Sequence, residues 1–191
     1  MPICFDLEEL RKTYNCVNYF ETGLFDPTAD ISVKQALKCN FNKVYSIELF
    51  KQWVDLAKIE FDEEIKNNKI QIIFDDSSNI KKYIVNNEDF EDKRAVFFLD
   101  AHVDNVNIKN YTTECPLMNE LNGISMLKRK DHILLIDDLR ILKTKNPWND
   151  KSLGDVNYID LIIKKIKTIN NNYKFTTLDG IQKNDVLCAY I

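Results

Sequence analysis

Two apolar runs in this chain stop abruptly on residues that can do chemistry. Phe97-Phe98-Leu99 runs into Asp100-Ala101-His102, and Leu134-Leu135-Ile136 runs into Asp137-Asp138. A short apolar run with polar ends reads as a strand buried on both faces of a parallel sheet. In open α/β sheets the loops leaving the carboxyl ends of the strands build the binding crevice. That crevice would gather Asp100, Asp137, Asp138 and one of the chain's two histidines, His102. Carboxylates beside an imidazole are the groups that hold a divalent cation and move a proton.

Three earlier strand-like runs also end on acid. Residues 17–20 lead to Glu21-Thr22-Gly23, residues 44–47 to Glu48, and residues 70–74 to Asp75-Asp76-Ser77. A single acid there reads as a helix cap; the whole set, with Asp137 and Asp138, points to a ligand. Charge narrows the ligand. A dinucleotide sets its pyrophosphate on several glycines and bare amides. Here the first turn is Gly23-Leu24-Phe25-Asp26-Pro27, with one glycine, bulky neighbours and an added carboxylate. S-adenosylmethionine has no phosphate and carries a sulfonium and an ammonium, which suit Glu21 and Asp26. Glu48 is then placed for the ribose hydroxyls, as the acid at the second strand end is in dinucleotide folds. Asp76 and Ser77 are placed for the adenine edge, although Asp-Asp-Ser-Ser is also an ordinary turn.

The elements that must position these groups alternate. A short helix over 6–14 covers the sheet or the site, and helices are expected over 30–38, 50–65 and 78–86. In the 50–65 helix, Phe50, Trp53, Ala57 and Phe61 form a face toward the core. Residues 86–93 read as a polar loop, and 103–113 as a loop without periodicity. Pro116 opens a helix that aligns Leu117, Leu121, Ile124 and Leu127. A loop over 143–153 holds Pro147 and Trp148, and the last helix carries Val156, Ile159, Ile163, Ile166 and Ile169. Strands over 173–178 and 186–191 follow each other without a helix, so they pair antiparallel or sit apart. The alternation predicts an α/β sheet, mostly parallel, with helices on both faces.

At 191 residues, 45% apolar and 29% charged, the chain suits one soluble domain over 1–191. A net charge of −4 speaks against nucleic acid as a partner. No apolar stretch is long enough for a membrane span, and residues 1–10 lack a signal-peptide pattern. Cys4, Cys16, Cys39, Cys115 and Cys188 are scattered without metal-ligand spacing, which suits a reducing, cytoplasmic setting. His132, at the entrance to a strand, reads as structural. Asn105, Arg140 and Trp148 are candidates to line an acceptor pocket.

Together, Glu21-Thr22-Gly23, Val44-Tyr45-Ser46-Ile47-Glu48, Asp76-Ser77, Leu99-Asp100-Ala101-His102, Cys115-Pro116-Leu117 with Glu120-Leu121, and Ile136-Asp137-Asp138 resemble the class I S-adenosylmethionine-dependent methyltransferases. The resemblance covers about residues 15–191. It implies a Rossmann-like seven-stranded sheet with a reversed last strand. The blocks are similar to a methyltransferase-like group of bacteria and large DNA viruses, which would place the chain in host cytoplasm if viral. The acid pattern resembles magnesium-dependent sugar O-methyltransferases, which implies Mg²⁺ or Mn²⁺ on Asp100, Asp137 and Asp138, with His102 where that family keeps its base. The implied cofactor set is Glu21, Thr22, Gly23, Asp26, Ser46, Glu48, Asp76, Ser77 and Asp100. His102, Asn105, Arg140 and Trp148 would face a small-molecule or glycan acceptor. The glycine-rich first motif is reduced to Gly23, and the family's base is often Asp. A metal-dependent hydrolase or phosphotransferase on the same carboxylates, or a binding module of the same fold, remain alternatives. The residues leave the oligomeric state open.

Overall fold

A computed structural model describes residues 3–102, 115–144 and 156–191. Its seven strands lie in one sheet, in the order β3-β2-β1-β4-β5-β7-β6. They are β1 (Asn18–Thr22), β2 (Lys43–Glu48), β3 (Ile70–Phe74), β4 (Ala95–Leu99), β5 (Ile133–Ile136), β6 (Lys174–Leu178) and β7 (Val186–Tyr190). The first five pair parallel, while β7 runs antiparallel to both β5 and β6. The expected Rossmann-like sheet with a reversed last strand is therefore present. Strand order turns back between β1 and β4, and a crevice opens where the connections diverge at such a reversal.

The central strands are apolar on both faces because both are covered. Phe20, Phe97, Leu134 and Ile136 pack with α5 (Lys81–Ile84), α6 (Glu88–Glu91), α7 (Leu117–Ser125), α8 (Leu139–Leu142) and α9 (Tyr158–Ile169). Tyr19, Val44, Phe98 and Leu135 pack on the other side with α1 (Leu7–Thr13), α2 (Ser32–Lys38) and α3 (Lys51–Glu60). α1 starts where Asp6 accepts a 2.8 Å hydrogen bond from the Glu9 N–H, leaving basic Arg11 and Lys12 in its last turn.

Local expectations are corrected in four places. The helix over 50–65 breaks at Phe61 (φ −110°, ψ 29°), giving α3 and then α4 (Asp62–Lys66). The expected 78–86 helix is a 3₁₀ turn, Ser77–Asn79, followed by α5. The expected polar loop over 86–93 contains α6, capped by Asn87 and anchored by the fully buried Phe90. Val156 precedes α9 and is exposed; the buried face reads Tyr158, Ile159, Ile162, Ile166, Ile169. The expectations for 103–113 and 145–153, with Asn105, Pro147 and Trp148, fall outside the described residues. No described helix is long and apolar enough to cross a membrane.

Candidate active site

A cavity of about 590 Å³ opens at the carboxyl ends of β1 to β4. Its lining includes Gly23, Phe25, Glu48, Phe50, Trp53, Asp76, Ser77, Asp100, Ala101, His102, Pro116 and Asp138.

The first turn is tight. Gly23 has φ +84°, and a Cβ there would stand 2.5 Å from the Asp100 carbonyl oxygen. The β1 turn thus lies directly on the end of β4, an approach open only to glycine. Phe25 follows with φ +61° and is 60% exposed at the cavity, its ring tilted against Trp53 at 5.4 Å. Trp53 thus lines the cavity with Phe50, and the core face of α3 is Val54 and Ala57.

Glu48 ends β2 and is almost fully buried. Its Oε2 accepts from the Phe25 N–H at 2.9 Å and its Oε1 from the Phe50 N–H at 2.7 Å. Burial raises its carboxyl despite these amides. Asp75 is tied down locally, accepting from the Asn79 amide and the Tyr83 hydroxyl. Asp76 faces the cavity while capping the 3₁₀ turn, accepting from the Ser78 N–H at 2.8 Å.

Glu21, Thr22, Ser46 and Asp26 lie outside the lining. Glu21 is fully buried and accepts from Ser32 Oγ at 2.5 Å and Ser46 Oγ at 2.8 Å; burial pushes its carboxyl up to about 7. Thr22 Oγ1 accepts from the Asp100 N–H at 3.2 Å. Asp26 is engaged by the Thr28 N–H and hydroxyl in its own turn. These four sit behind or beside the cavity rather than in it.

At the other end, Asp100, His102 and Asp138 bring their ligand atoms within 4.8 Å of one another. His102 Nε2 is 2.5 Å from Asp138 Oδ2 and 3.8 Å from Asp100 Oδ1. Burial works to lower the imidazole, but Asp138 and Asp100 outweigh it and hold it above its ordinary value. Burial raises Asp100. Asp138 is held low against its burial by His102 and Arg140. Its backbone is left-handed (φ 56°, ψ 41°), an uncommon conformation that Asp tolerates better than most residues.

Asp137 does not join Asp100 and His102; it groups with Asp138 and Asp185. Burial and then the charge of Asp100 push it up to about 7. Arg140 lies outside the cavity lining. Its guanidinium makes a 2.5 Å ionic contact with Asp138 Oδ1 and an ion pair with buried Asp185. His132 is structural, its Nδ1 accepting from the Ala95 N–H at 3.1 Å.

Two groups carry more than their sequence context signals. Asp185 shows only faintly, as an acid directly before the terminal strand. Glu120 shows more clearly, sitting at helical spacing between Leu117 and Ile124 on the buried face of α7.

No protein-family model matches the chain, and no curated protein matches it in sequence. Solved structures do share its fold. An O-methyltransferase from Bacillus cereus in complex with SAH is 13% identical and matches 97% of this chain and 79% of its own, with TM-score 0.62. A protein from Streptococcus mutans, assigned as a methyltransferase and solved with SAH, is 13% identical over 99% of both chains, with TM-score 0.57. Spermidine synthase from Thermotoga maritima is 11% identical over 92% of this chain and 54% of its own, with TM-score 0.55. At these identities the likeness shows the fold.

Proposed function

We propose that the chain is an S-adenosylmethionine-dependent O-methyltransferase acting on a hydroxyl of a sugar or glycan, with a divalent cation, Mg²⁺ or Mn²⁺, at the acceptor end. The observation that carries this reading is the continuity of one cavity from Glu48 to the Asp100, His102 and Asp138 group. A donor half and a proton-accepting half thereby share one space, as group transfer requires.

The donor supplies an electrophilic methyl on sulfur, and the chain must hold it without a phosphate. Glu48 is fixed by the Phe25 and Phe50 amides, and a carboxylate so held can accept a further hydrogen bond from a ribose hydroxyl. Asp76 and Ser77 offer polar edges to the base, while Phe25, Phe50 and Trp53 give that half an apolar wall.

The acceptor half fits a cation. Asp100 and Asp138 are buried together with His102 between them, and their ligand atoms lie within 4.8 Å of one another. Carboxylate oxygens suit Mg²⁺ or Mn²⁺, with Asp100 and Asp138 the residues that would hold it and Asp137 beside them. Such an ion lowers the pKa of a hydroxyl bound to it. His102 is the group that takes the acceptor's proton, with Asp138 orienting the imidazole and stabilising its charged form.

The 2.5 Å contact between His102 and Asp138 favours one variant, a metal-free site in which the pair alone serves as base. Chelation separates the two: turnover abolished by a chelator and restored by Mn²⁺ supports the metal, and unchanged turnover supports the pair. The reading as a whole is tested by calorimetry with S-adenosylhomocysteine, with and without Mg²⁺; absence of binding in both sinks it. Transfer of labelled methyl to sugar nucleotides rather than to catechols is the outcome expected for the acceptor class.

A further inference from the structure

We propose that Glu120 is a positioning residue of the cofactor pocket: its buried carboxyl, set between the hydroxyls of Thr22 and Ser77, ties the end of β1 to the turn after β3 and holds Ser77 where the adenosine half of the donor binds. The inference rests on reading that cavity as the S-adenosylmethionine site.

Glu120 projects from α7 and is 1% exposed. Thr22 and Ser77 are within hydrogen-bonding reach of its carboxyl, yet among the described residues its Oε1 has no hydrogen-bond partner. A carboxyl left part-satisfied in a dry seam costs stability. Packing alone would favour Leu, the neighbour's type at Leu117 and Leu121. The seam is tight as well as dry. At Gly123, one turn on, a Cβ would stand 2.7 Å from Ile80 Cγ2 and 3.2 Å from the Lys81 N. Helix α7 is therefore pressed onto the segment that carries Ser77.

The links beyond Glu120 reach the site in two directions. Ser77 lines the cavity. Thr22 Oγ1 accepts from the Asp100 N–H, so its own hydroxyl hydrogen is left to point at Glu120. One carboxyl thus connects the adenosine side to the backbone of Asp100. Burial pushes Glu120 up to about 7; Asp76 adds to that and His102 opposes it. Near neutrality the group can be an acid, which Gln imitates as a neutral donor and acceptor.

The test is calorimetric titration of S-adenosylhomocysteine into wild type, E120Q, E120L, S77A and the E120L/S77A double variant, with Tm recorded for each. E120Q is expected to bind within about threefold of wild type, and E120L about tenfold more weakly, with Tm equal or higher. The double variant is expected to be no weaker than E120L alone, and in turnover E120L raises KM for the donor more than it lowers kcat. Wild-type affinity in E120L, or additive losses in the double variant, overturns the proposal. Should E120L not fold, S77A and T22V decide: about tenfold weaker binding in both supports it, and wild-type affinity in both overturns it. If wild type itself binds no S-adenosylhomocysteine, the functional reading fails and this inference falls with it.

Discussion

The two histidines of this chain titrate in opposite directions because one is wedged between acids and the other is sealed in the core. For His102, the charges of Asp138 and Asp100 overcome burial and raise the imidazole above 6.5. A base acts only when neutral, so the acidic limb of the pH–rate profile is expected above pH 6.5. The same shift makes the folded state bind the extra proton. Its stabilisation is therefore complete below 6.5 and is lost as pH rises through the folded value. H102A is expected to lower kcat by about 10²- to 10⁴-fold while S-adenosylhomocysteine still binds; unchanged kcat would remove it as the base. His132 is the reverse case. Burial lowers it to about 3, with Nδ1 accepting from the Ala95 N–H. The unfolded chain then takes up a proton that the folded chain refuses, so stability falls as pH drops from 6.5 toward 3. Between pH 6.5 and 5 this removes up to about 2 kcal/mol. H132N keeps an acceptor near Nδ1 and cannot ionise; urea melts at the two pH values should show that loss shrink, and an equal loss would mean that another group drives it.

At the scale of elements, the site depends on the β1 turn lying against the end of β4. G23A puts a methyl 2.5 Å from the Asp100 carbonyl at φ +84°, so the two strand ends must part. A loss of about 1–3 kcal/mol in unfolding free energy is expected, with S-adenosylhomocysteine affinity falling about tenfold or more; a variant with normal affinity would show that the contact is only structural. Gly23 stands out in the sequence because glycine is scarce here, and the strands stand out because an apolar run ending on acid fits little besides a buried strand. The less legible elements are those whose signal is short or shared. Four-residue α6 offers Phe90 as its one apolar anchor amid acids, which reads as loop until the core it enters is known. Trp53 fits the apolar rhythm of α3 and yet faces the cavity, because periodicity distinguishes a helix face without saying what covers it. Asp137 and Asp138 look equivalent as neighbours, but the left-handed turn at Asp138 sends one toward His102 and the other toward Asp185. No spacing rule encodes that divergence.

At the scale of the whole molecule, the proposed function assigns donor and acceptor duties to different strands: Glu48 ends β2, Asp100 and Asp138 follow β4 and β5, and β1 lies between them. Glu48 and the Asp100, Asp138 pair stand on strand ends that are not neighbours in the sheet, so mutations of the two groups themselves are expected to be nearly additive. Ligand-induced stabilisation reads both halves, because anything that binds only the folded state raises Tm with its concentration. In wild type, S-adenosylhomocysteine at about 100-fold its Kd should add about 2.7 kcal/mol of stability, and Mn²⁺ should add a further increment. E48A is expected to abolish the first shift and keep the second; the D100N/D138N double variant should keep the first and abolish the second. Loss of both shifts in either variant would mean that the cavity binds one ligand as a single unit. The division into a methyl-donor half and a hydroxyl-activating half would then be wrong even if methyl transfer itself were observed.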